Sequence, residues 1–396
     1  MKHNVLQLAE IAQKNERIII GLMSGTSLDG LDVALCKISG SGFATKAEIL
    51  HFETLPFDDE LRTDIRKIFA KRTIDFQYLV LLNGHIAKVH AAIINDCIQR
   101  WNVNKSAIDL IASHGQTVYH APKHFHGLEK FGNATLQIAD GDRIARDTGI
   151  ITISDFRQKH IAAGGEGAPL AAYGDLLLFR DAENDVFLLN IGGVSNVSMI
   201  RRDGEYCSYD IGPGNNLMDI WTKEKFGIAY DKDAGIARQG IPNEKLINAL
   251  ENHYYFDLPF PKTTGPETFN IAYIEKAIED SGNEEMSLED VLHSLCKFTS
   301  YKIAEEINGH IKESDKAVVY ASGGGIHNPL LMQYINQQCS VKNLTTTAEK
   351  NINPDAKEAL LFAVLANECV AGEMNFYKEN FTNIPAVTMG KISFPD

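Results

Sequence analysis

The sequence lacks paired cysteines. Its six cysteines stand at positions 36, 97, 207, 296, 339 and 369, and no two of them form a CxxC pair or a dense framework. Disulfide scaffolds and cysteine-based metal sites need such spacing. The distribution therefore predicts free thiols in a reducing compartment.

A long apolar run is also missing. Nowhere are there about 18 consecutive apolar residues, the length that a membrane-spanning helix needs. The N-terminal segment MKHNVLQLAEIAQKNERIII has no apolar stretch of signal-peptide length before a small-residue cleavage site. We therefore expect a cytoplasmic protein that has no membrane partner.

Positive charge is scarce. The chain has 38 Lys and Arg residues and 52 Asp and Glu residues, which gives a formal net charge of -14. Such a balance argues against non-specific binding to nucleic acid, so we expect a small-molecule substrate instead. A chain of 396 residues favours two domains over one, because a domain has roughly 100–200 residues.

Three glycine clusters are present, and each follows an apolar strand. They are SGTSLDG at 24–30, NIGGVSN at 190–196 and ASGGGIHN at 321–328. Glycine lets backbone amides approach an anion, so such turns suit phosphate oxygens, although a single one could be an ordinary hairpin. Neither GxxxxGK[ST] nor GxGxxG occurs, which argues against P-loop and Rossmann sites.

Carboxylates accompany these turns. Asp29 and Asp32 lie in or beside the first, and Asp210 precedes the further loop IGPGNN. Carboxylates next to phosphates can hold Mg²⁺, and the alternative is turn capping by Asp. Asp29 and Asp210 are the expected metal ligands.

An ordered series of motifs resembles one family. The segments GLMSGTSLDGLDVAL, ASHGQTVYHAP, DFRxxxIAAGGxGAPL, LLNIGGVSNVS, YDIGPGNNLMD and DAKEALLFAVLA are similar to successive motifs of anhydro-N-acetylmuramic acid kinases. The resemblance implies an α/β protein with two actin-like (ribonuclease H-like) lobes and an ATP cleft between them. It implies lobes at 17–165 plus 356–396 and at 166–355, and opening of a 1,6-anhydro muramic sugar coupled to phosphorylation in peptidoglycan recycling.

Site residues follow from the same resemblance. Gly192 and Gly193 match the second phosphate loop, and Gly323, Gly324 and Gly325 match the loop on the nucleoside side. The resemblance implies sugar contacts from His114, Gln116, Thr117 and Glu358. The first phosphate loop falls on Gly25, Thr26, Ser27, Leu28, Asp29, Gly30, Leu31 and Asp32.

One position departs from the family pattern. The segment DFRxxD ends in an aspartate that the resemblance assigns as general base, and this chain has His160 there, while Glu166 replaces a usual glutamine. His160 could be the base, oriented by Glu166, because a carboxylate can orient a catalytic histidine. Alternatively the enzyme phosphorylates a related sugar, or it is a nucleotide-binding protein with impaired chemistry.

Two further alternatives remain. His114, His120, His124 and His126 lie within thirteen residues, a spacing that could bind zinc in a hydrolase, although no HExxH motif is present. The helical segment at 275–312 could form the face of a homodimer, although amphipathic helices usually cover a core.

Overall fold

The computed structural model describes residues 2–25, 28, 30–259, 262, 264–265, 268–283, 285–381 and 384–396. The chain divides into two compact units. The first comprises Met1–Phe179 and Asn351–Asp396, and the second comprises Arg180–Lys350. No helix in the described part of the chain has both the length and the apolar character to cross a membrane.

The strands are built from β-branched and aromatic runs, as strand propensity requires. AVVYAS at 317–322 is buried at every position, which is the pattern of a strand covered on both faces. In chain order the strands are β1 (Glu16–Ser24), β2 (Gly30–Ser39), β3 (Lys46–Pro56), β4 (Leu110–Ala121), β5 (Ala134–Ile138), β6 (Thr152–Ser154), β7 (Asp185–Ile191), β8 (Val194–Ile200), β9 (Tyr206–Pro213), β10 (Ala317–Ser322), β11 (Asn343–Thr346) and β12 (Lys391–Ser393).

Several helices begin at side chains that cap their first turn. Asp75 accepts a hydrogen bond from the Tyr78 amide, and Ser287 accepts one from the Asp290 amide. The helices are α1 (Lys2–Gln13), α2 (Asp59–Ile68), α3 (Phe76–Arg100), α4 (Lys123–His126), α5 (Gly141–Thr148), α6 (Phe156–Ala162), α7 (Ala171–Phe179), α8 (Asn216–Phe226), α9 (Glu244–Glu251), α10 (Ile271–Asp280), α11 (Leu288–His310), α12 (Pro329–Gln338), α13 (Lys357–Ala371) and α14 (Met374–Asn380).

The two sheets share one topology. In the first unit the order is β12-β6-β4-β1-β2-β3, with β5 paired to β4, and in the second it is β11-β10-β7-β8-β9. Each sheet has an antiparallel meander of three strands, β1-β2-β3 or β7-β8-β9. A parallel strand, β4 or β10, then pairs with the first strand of its meander. The repeat confirms the α/β class with two ribonuclease H-like lobes.

Helix α13 packs directly on β1 in the first unit. A β-carbon on Gly21 would lie 1.9 Å from the carbonyl oxygen of Ala359, so only glycine permits this approach. Ala359, Ala363 and Ala366 on α13 are buried. Close packing of this kind fixes the start of α13, which carries Glu358, against the sheet.

The chain turns sharply after β6. The run ITISDF predicts a strand that continues to Phe156, but β6 ends at Ser154. Asp155 has a positive φ of 53°, which no strand accommodates, and α6 follows directly. His160 therefore lies on a short helix, whereas the glycine-rich sequence predicts an irregular loop there.

Candidate active site

His160 is a buried imidazole on α6. Its side chain is 3% exposed, and the backbone N–H of Gly167 donates a hydrogen bond to Nδ1 at 2.9 Å. An N–H donor requires an unprotonated Nδ1, so the ring of neutral His160 carries its proton on Nε2. Burial lowers the pKa of His160, and the positive charge of Arg157 lowers it further, while Glu166 opposes them. The ring of His160 is therefore neutral, and the lone pair on Nδ1 already accepts the hydrogen bond from Gly167.

Glu166 pairs with a different histidine. Its carboxylate lies 3.1 Å from Nδ1 of His124, and both side chains are exposed. Among the described residues, no hydrogen bond joins Glu166 to His160. The orienting contact that the sequence suggested for these two residues is therefore not formed.

Arg157 connects two segments of the site. Its Nε donates to Nε2 of His114 at 3.0 Å, and its Nη1 donates to the carbonyl oxygen of Gly167 at 2.7 Å. Burial lowers the pKa of the guanidinium to about 10, and the nearby carboxylate of Glu358 opposes that shift. Arg157 stands in the DFR segment, but the sequence alone predicts no role for it.

His114 is held neutral in the opposite tautomer. Because Nε2 accepts from Arg157, the ring proton lies on Nδ1. Burial, followed by the charge of Arg157, lowers the pKa of His114 to about 3. The ring packs against Phe362 of α13, with 4.7 Å between the centroids.

Gln116 supports the start of the first phosphate loop. Its side chain is fully buried, where Oε1 accepts from the Ser24 hydroxyl at 2.6 Å and Nε2 donates to the Gly25 carbonyl at 3.4 Å. Thr117, the next residue, accepts from Gln137 through its hydroxyl at 3.3 Å. The side-chain amide of Gln116 therefore anchors the start of the first phosphate loop.

The first phosphate loop is described in part. Thr26, Ser27 and Asp29 lie outside the described residues. The side chains of Leu28 and Leu31 are buried in the core of the first unit, so only their backbone could meet a ligand. Gly25 and Gly30 flank this stretch, and Asp32 follows it on β2.

Two carboxylates with raised pKa values lie near each other in the first unit. Glu358, in the first turn of α13, is exposed, yet the protein around it desolvates the carboxylate and raises its pKa. Desolvation also raises the pKa of Asp32, which accepts a hydrogen bond from Thr54 at 2.6 Å. The negative charge of Asp32 adds to the shift of Glu358. Both groups favour protonation more than an ordinary surface carboxylate does.

The second unit brings the loop at 214–215 against the second glycine cluster. Gly192 and Gly193 form the two-residue turn between β7 and β8. The Asn215 amide donates to the Gly192 carbonyl at 2.8 Å, and the Gly214 amide donates to the Gly193 carbonyl at 2.8 Å. This loop directly follows the strand that carries Asp210.

The third glycine cluster packs against the end of β7, beside the turn that the second cluster forms. Gly323 has a φ of 82°, and a β-carbon there would lie 2.7 Å from the Ile191 carbonyl oxygen. On Gly325 a β-carbon would lie 2.2 Å from Cγ2 of Ile191, whereas on Gly324 the nearest atom, Nδ2 of Asn215, would be 3.7 Å away. The second and third clusters therefore meet at the ends of parallel β7 and β10, as expected for one phosphate-binding surface.

Asp210 lies at the edge of this surface. It is half-buried near the end of β9, and its Oδ2 accepts a hydrogen bond from the Thr264 amide at 2.9 Å. Desolvation raises its pKa. One carboxylate oxygen is thus engaged, and Oδ1 is the atom that can accept from a further partner.

The four histidines of the zinc alternative are not gathered into a metal site. His114 bonds Arg157, His124 bonds Glu166, and His126 lies 3.1 Å from the Gly132 carbonyl oxygen. Within the described ranges, no group of three His, Cys, Asp or Glu side chains is placed to hold a metal ion. The geometry therefore gives the zinc hydrolase alternative no support.

Two units of ribonuclease H-like topology with glycine turns at their strand ends are the architecture expected for a nucleotide-dependent phosphotransferase of the actin-like class. The chain matches the sequence model of the anhydro-N-acetylmuramic acid kinase family over residues 17–390 and belongs to that family. Anhydro-N-acetylmuramic acid kinases of Pseudoalteromonas translucida and Pseudoalteromonas atlantica are each 49% identical to it over 100% of both chains. That of Caldanaerobacter subterraneus is 35% identical over 98% of this chain and 99% of its own.

Proposed function

We propose that this chain uses ATP to convert 1,6-anhydro-N-acetylmuramic acid into N-acetylmuramic acid 6-phosphate in peptidoglycan recycling. Water adds to the anomeric carbon as the 1,6-anhydro bond opens, and O6, freed as the leaving oxygen, takes the terminal phosphoryl group of ATP. Full-length similarity to the named kinases supports the substrate. The meeting of the glycine clusters in the second unit supports the nucleotide site.

The nucleotide phosphates would lie along the glycine turns. The Gly192 amide donates to the Val194 carbonyl at 3.1 Å, so phosphate contacts would come from neighbouring amides of these turns. In the first unit, the proposed phosphate contacts are the backbone groups of the loop that includes Gly25 and Gly30. Phosphoryl transfer would then depend on positioning and charge neutralisation.

Mg²⁺ would accompany ATP and neutralise charge on its phosphates. Asp29 and Asp210 are the proposed carboxylates for it, and Asp29 lies outside the described residues. Asp210 has only Oδ1 to offer, because Oδ2 is held by Thr264. That geometry fits a contact through a metal-bound water better than bidentate chelation.

The geometry argues against His160 as the general base. His160 has its Nδ1 lone pair engaged by Gly167, and the other ring nitrogen carries the proton. We therefore assign to His160 the positioning of the 164–167 segment with Glu166 rather than proton abstraction.

Sugar recognition would come from the first unit. Glu358 offers an exposed carboxylate to sugar hydroxyls, and His114 and Thr117 stand on β4. Gln116 would act through the loop that it supports. A cytoplasmic location and a homodimer are further expectations, which cell fractionation and light scattering on the purified protein would test.

The test is a coupled ADP-release assay with 1,6-anhydro-N-acetylmuramic acid, ATP and Mg²⁺. The parent chain should turn over, and Asp210→Asn should lower kcat and raise the Mg²⁺ concentration needed for half-maximal activity, because an amide carries no charge to offset that of the metal. Turnover with open-ring N-acetylmuramic acid but not with the anhydro sugar would favour a kinase for a related sugar. No sugar-dependent ADP release would contradict the proposal.

A further inference from the structure

A polar cavity of about 250 Å³ lies in the first unit, beside the end of β6 and the start of α5. One water molecule takes up about 30 Å³ in the liquid, so the space exceeds what a single structural water fills. It lies just below the range of roughly 300–1,000 Å³ that holds drug-sized ligands. Six of its lining residues carry the argument, namely Ser113, Gln137, Asp140, Asp142, Asp155 and Lys391.

Ser113 and His114 both line this cavity, and His114 is also one of the sugar contacts proposed above. They are consecutive in β4, so their side chains leave opposite faces of the sheet. His114 packs on α13 through Phe362. Ser113 pairs with Ser154 on β6, whose Oγ would lie 2.4 Å from a β-carbon on Gly141 at the start of α5. Ser113 therefore faces α5, on the other side of the sheet from α13.

Two polar atoms in the cavity wall have no partner. Ser113 is 1% exposed, and its Oγ makes no hydrogen bond to any described residue. The same holds for Oε1 of Gln137, whose Nε2 donates to the hydroxyl groups of Thr117 and Thr135. Buried polar atoms are rarely left unpaired in native proteins. Their meeting at one cavity indicates that a ligand supplies the missing bonds.

The charges of the wall restrict the ligand. Asp140, Asp142 and Asp155 outnumber Lys391, so an anion is disfavoured. Asp155 forms an ion pair with Lys391, and Asp140 accepts the Arg143 amide at 2.9 Å. Two of the three carboxylates therefore already have partners, and the wall does not require a cationic ligand.

We propose that this cavity is a second binding site, for an uncharged, hydroxyl-rich molecule of monosaccharide size. Hydroxyl groups both donate and accept, so one ligand can donate to Gln137 Oε1 and satisfy Ser113 Oγ in either direction. His114 is the one lining residue that is also a proposed sugar contact, and its side chain leaves the other face of the sheet.

The test is calorimetric titration of the full chain with N-acetylglucosamine as the uncharged probe. Glucosamine and glucose 6-phosphate serve as cationic and anionic matches of similar size. We expect saturable binding of N-acetylglucosamine, weakened about 3- to 10-fold in Ser113→Ala, the loss of one net hydrogen bond. Without ligand, Ser113→Ala should not lower the Tm, because the hydroxyl it removes has no partner.

Ser294→Ala is the matched control. Its buried hydroxyl donates to the Asp290 carbonyl at 2.7 Å, so the substitution should lower the Tm and leave probe binding unchanged. Absence of saturable binding, tighter binding of either charged match, or binding that Glu358→Gln abolishes and Ser113→Ala leaves intact would overturn the proposal. ADP release with the anhydro sugar, measured on the same variants, reports separately on the kinase.

Discussion

Gly167 donates its backbone N–H to Nδ1 of His160 at 2.9 Å, and this bond fixes what the imidazole can do. We expect His160→Asn to keep kcat/KM within about threefold, because the amide oxygen of Asn can accept the same hydrogen bond. His160→Leu should instead destabilise the fold by about 1–3 kcal/mol, the cost of an unpaired buried donor. Steady-state kinetics and thermal unfolding of both variants check this.

A general base would behave differently. Asn and Leu at position 160 would then lose activity equally, by about 10²–10⁴-fold, since neither accepts a proton at neutral pH. Equal loss of activity in the two variants, with the fold intact, would mean that His160 is the general base. His160→Asp provides a third comparison, since it restores the residue of the family pattern.

The α/β class, the strand–turn–strand units and α3 follow from the sequence, because apolar periodicity and glycine position are local signals. The contacts of Arg157 could not be predicted in this way. Its guanidinium bonds an imidazole 43 positions earlier in the chain, and only the parallel pairing of β4 with β6 brings the two together. The role of Gln116 was likewise hidden, because the partner of its side chain is Ser24 on another strand.

The glycines of the third cluster should tolerate substitution unequally. Gly325→Ala should weaken ATP binding at least tenfold, because the new methyl group would overlap Ile191, which ends β7 just before the phosphate turn. Gly324→Ala is the control, since its β-carbon meets nothing closer than 3.7 Å. Titration with a fluorescent ATP analogue measures both. Equal ATP affinities of the two variants would mean that the third glycine cluster is not part of the nucleotide site.

Replacement of the guanidinium should raise the pKa of two imidazoles. In Arg157→Lys the Nε donor to His114 is lost, and an ammonium cannot also reach Gly167 with the same planar geometry. The charge of Arg157 lowers the pKa of both His114 and His160, so a displaced charge should raise both values. Titration of the imidazole carbon-bound protons by NMR gives the direct measurement. Unchanged histidine pKa values with a lower kcat would limit Arg157 to substrate contact.

His90 should make the first unit sensitive to acid. It is fully buried on α3, stacked on Phe57 at 6.1 Å, and neither ring nitrogen has a partner among the described residues. Burial lowers its pKa to about 4. The unfolded chain binds a proton below about pH 6.5 and the folded chain only below its lower pKa, so stability falls as the pH drops between these values.

The slope of that fall is about 1.4 kcal/mol per pH unit for one such histidine. His90→Phe should remove it and leave stability at pH 7 equal or higher, because a phenyl ring keeps the contact with Phe57 and has no unpaired nitrogen. Exposed His85 on the same helix provides the control, since His85→Phe should follow the parent curve. Urea unfolding from pH 7 to pH 4 distinguishes these outcomes. If the free energy of unfolding fell equally with pH in His90→Phe and in the parent, His90 would have to gain access to water before the chain unfolds.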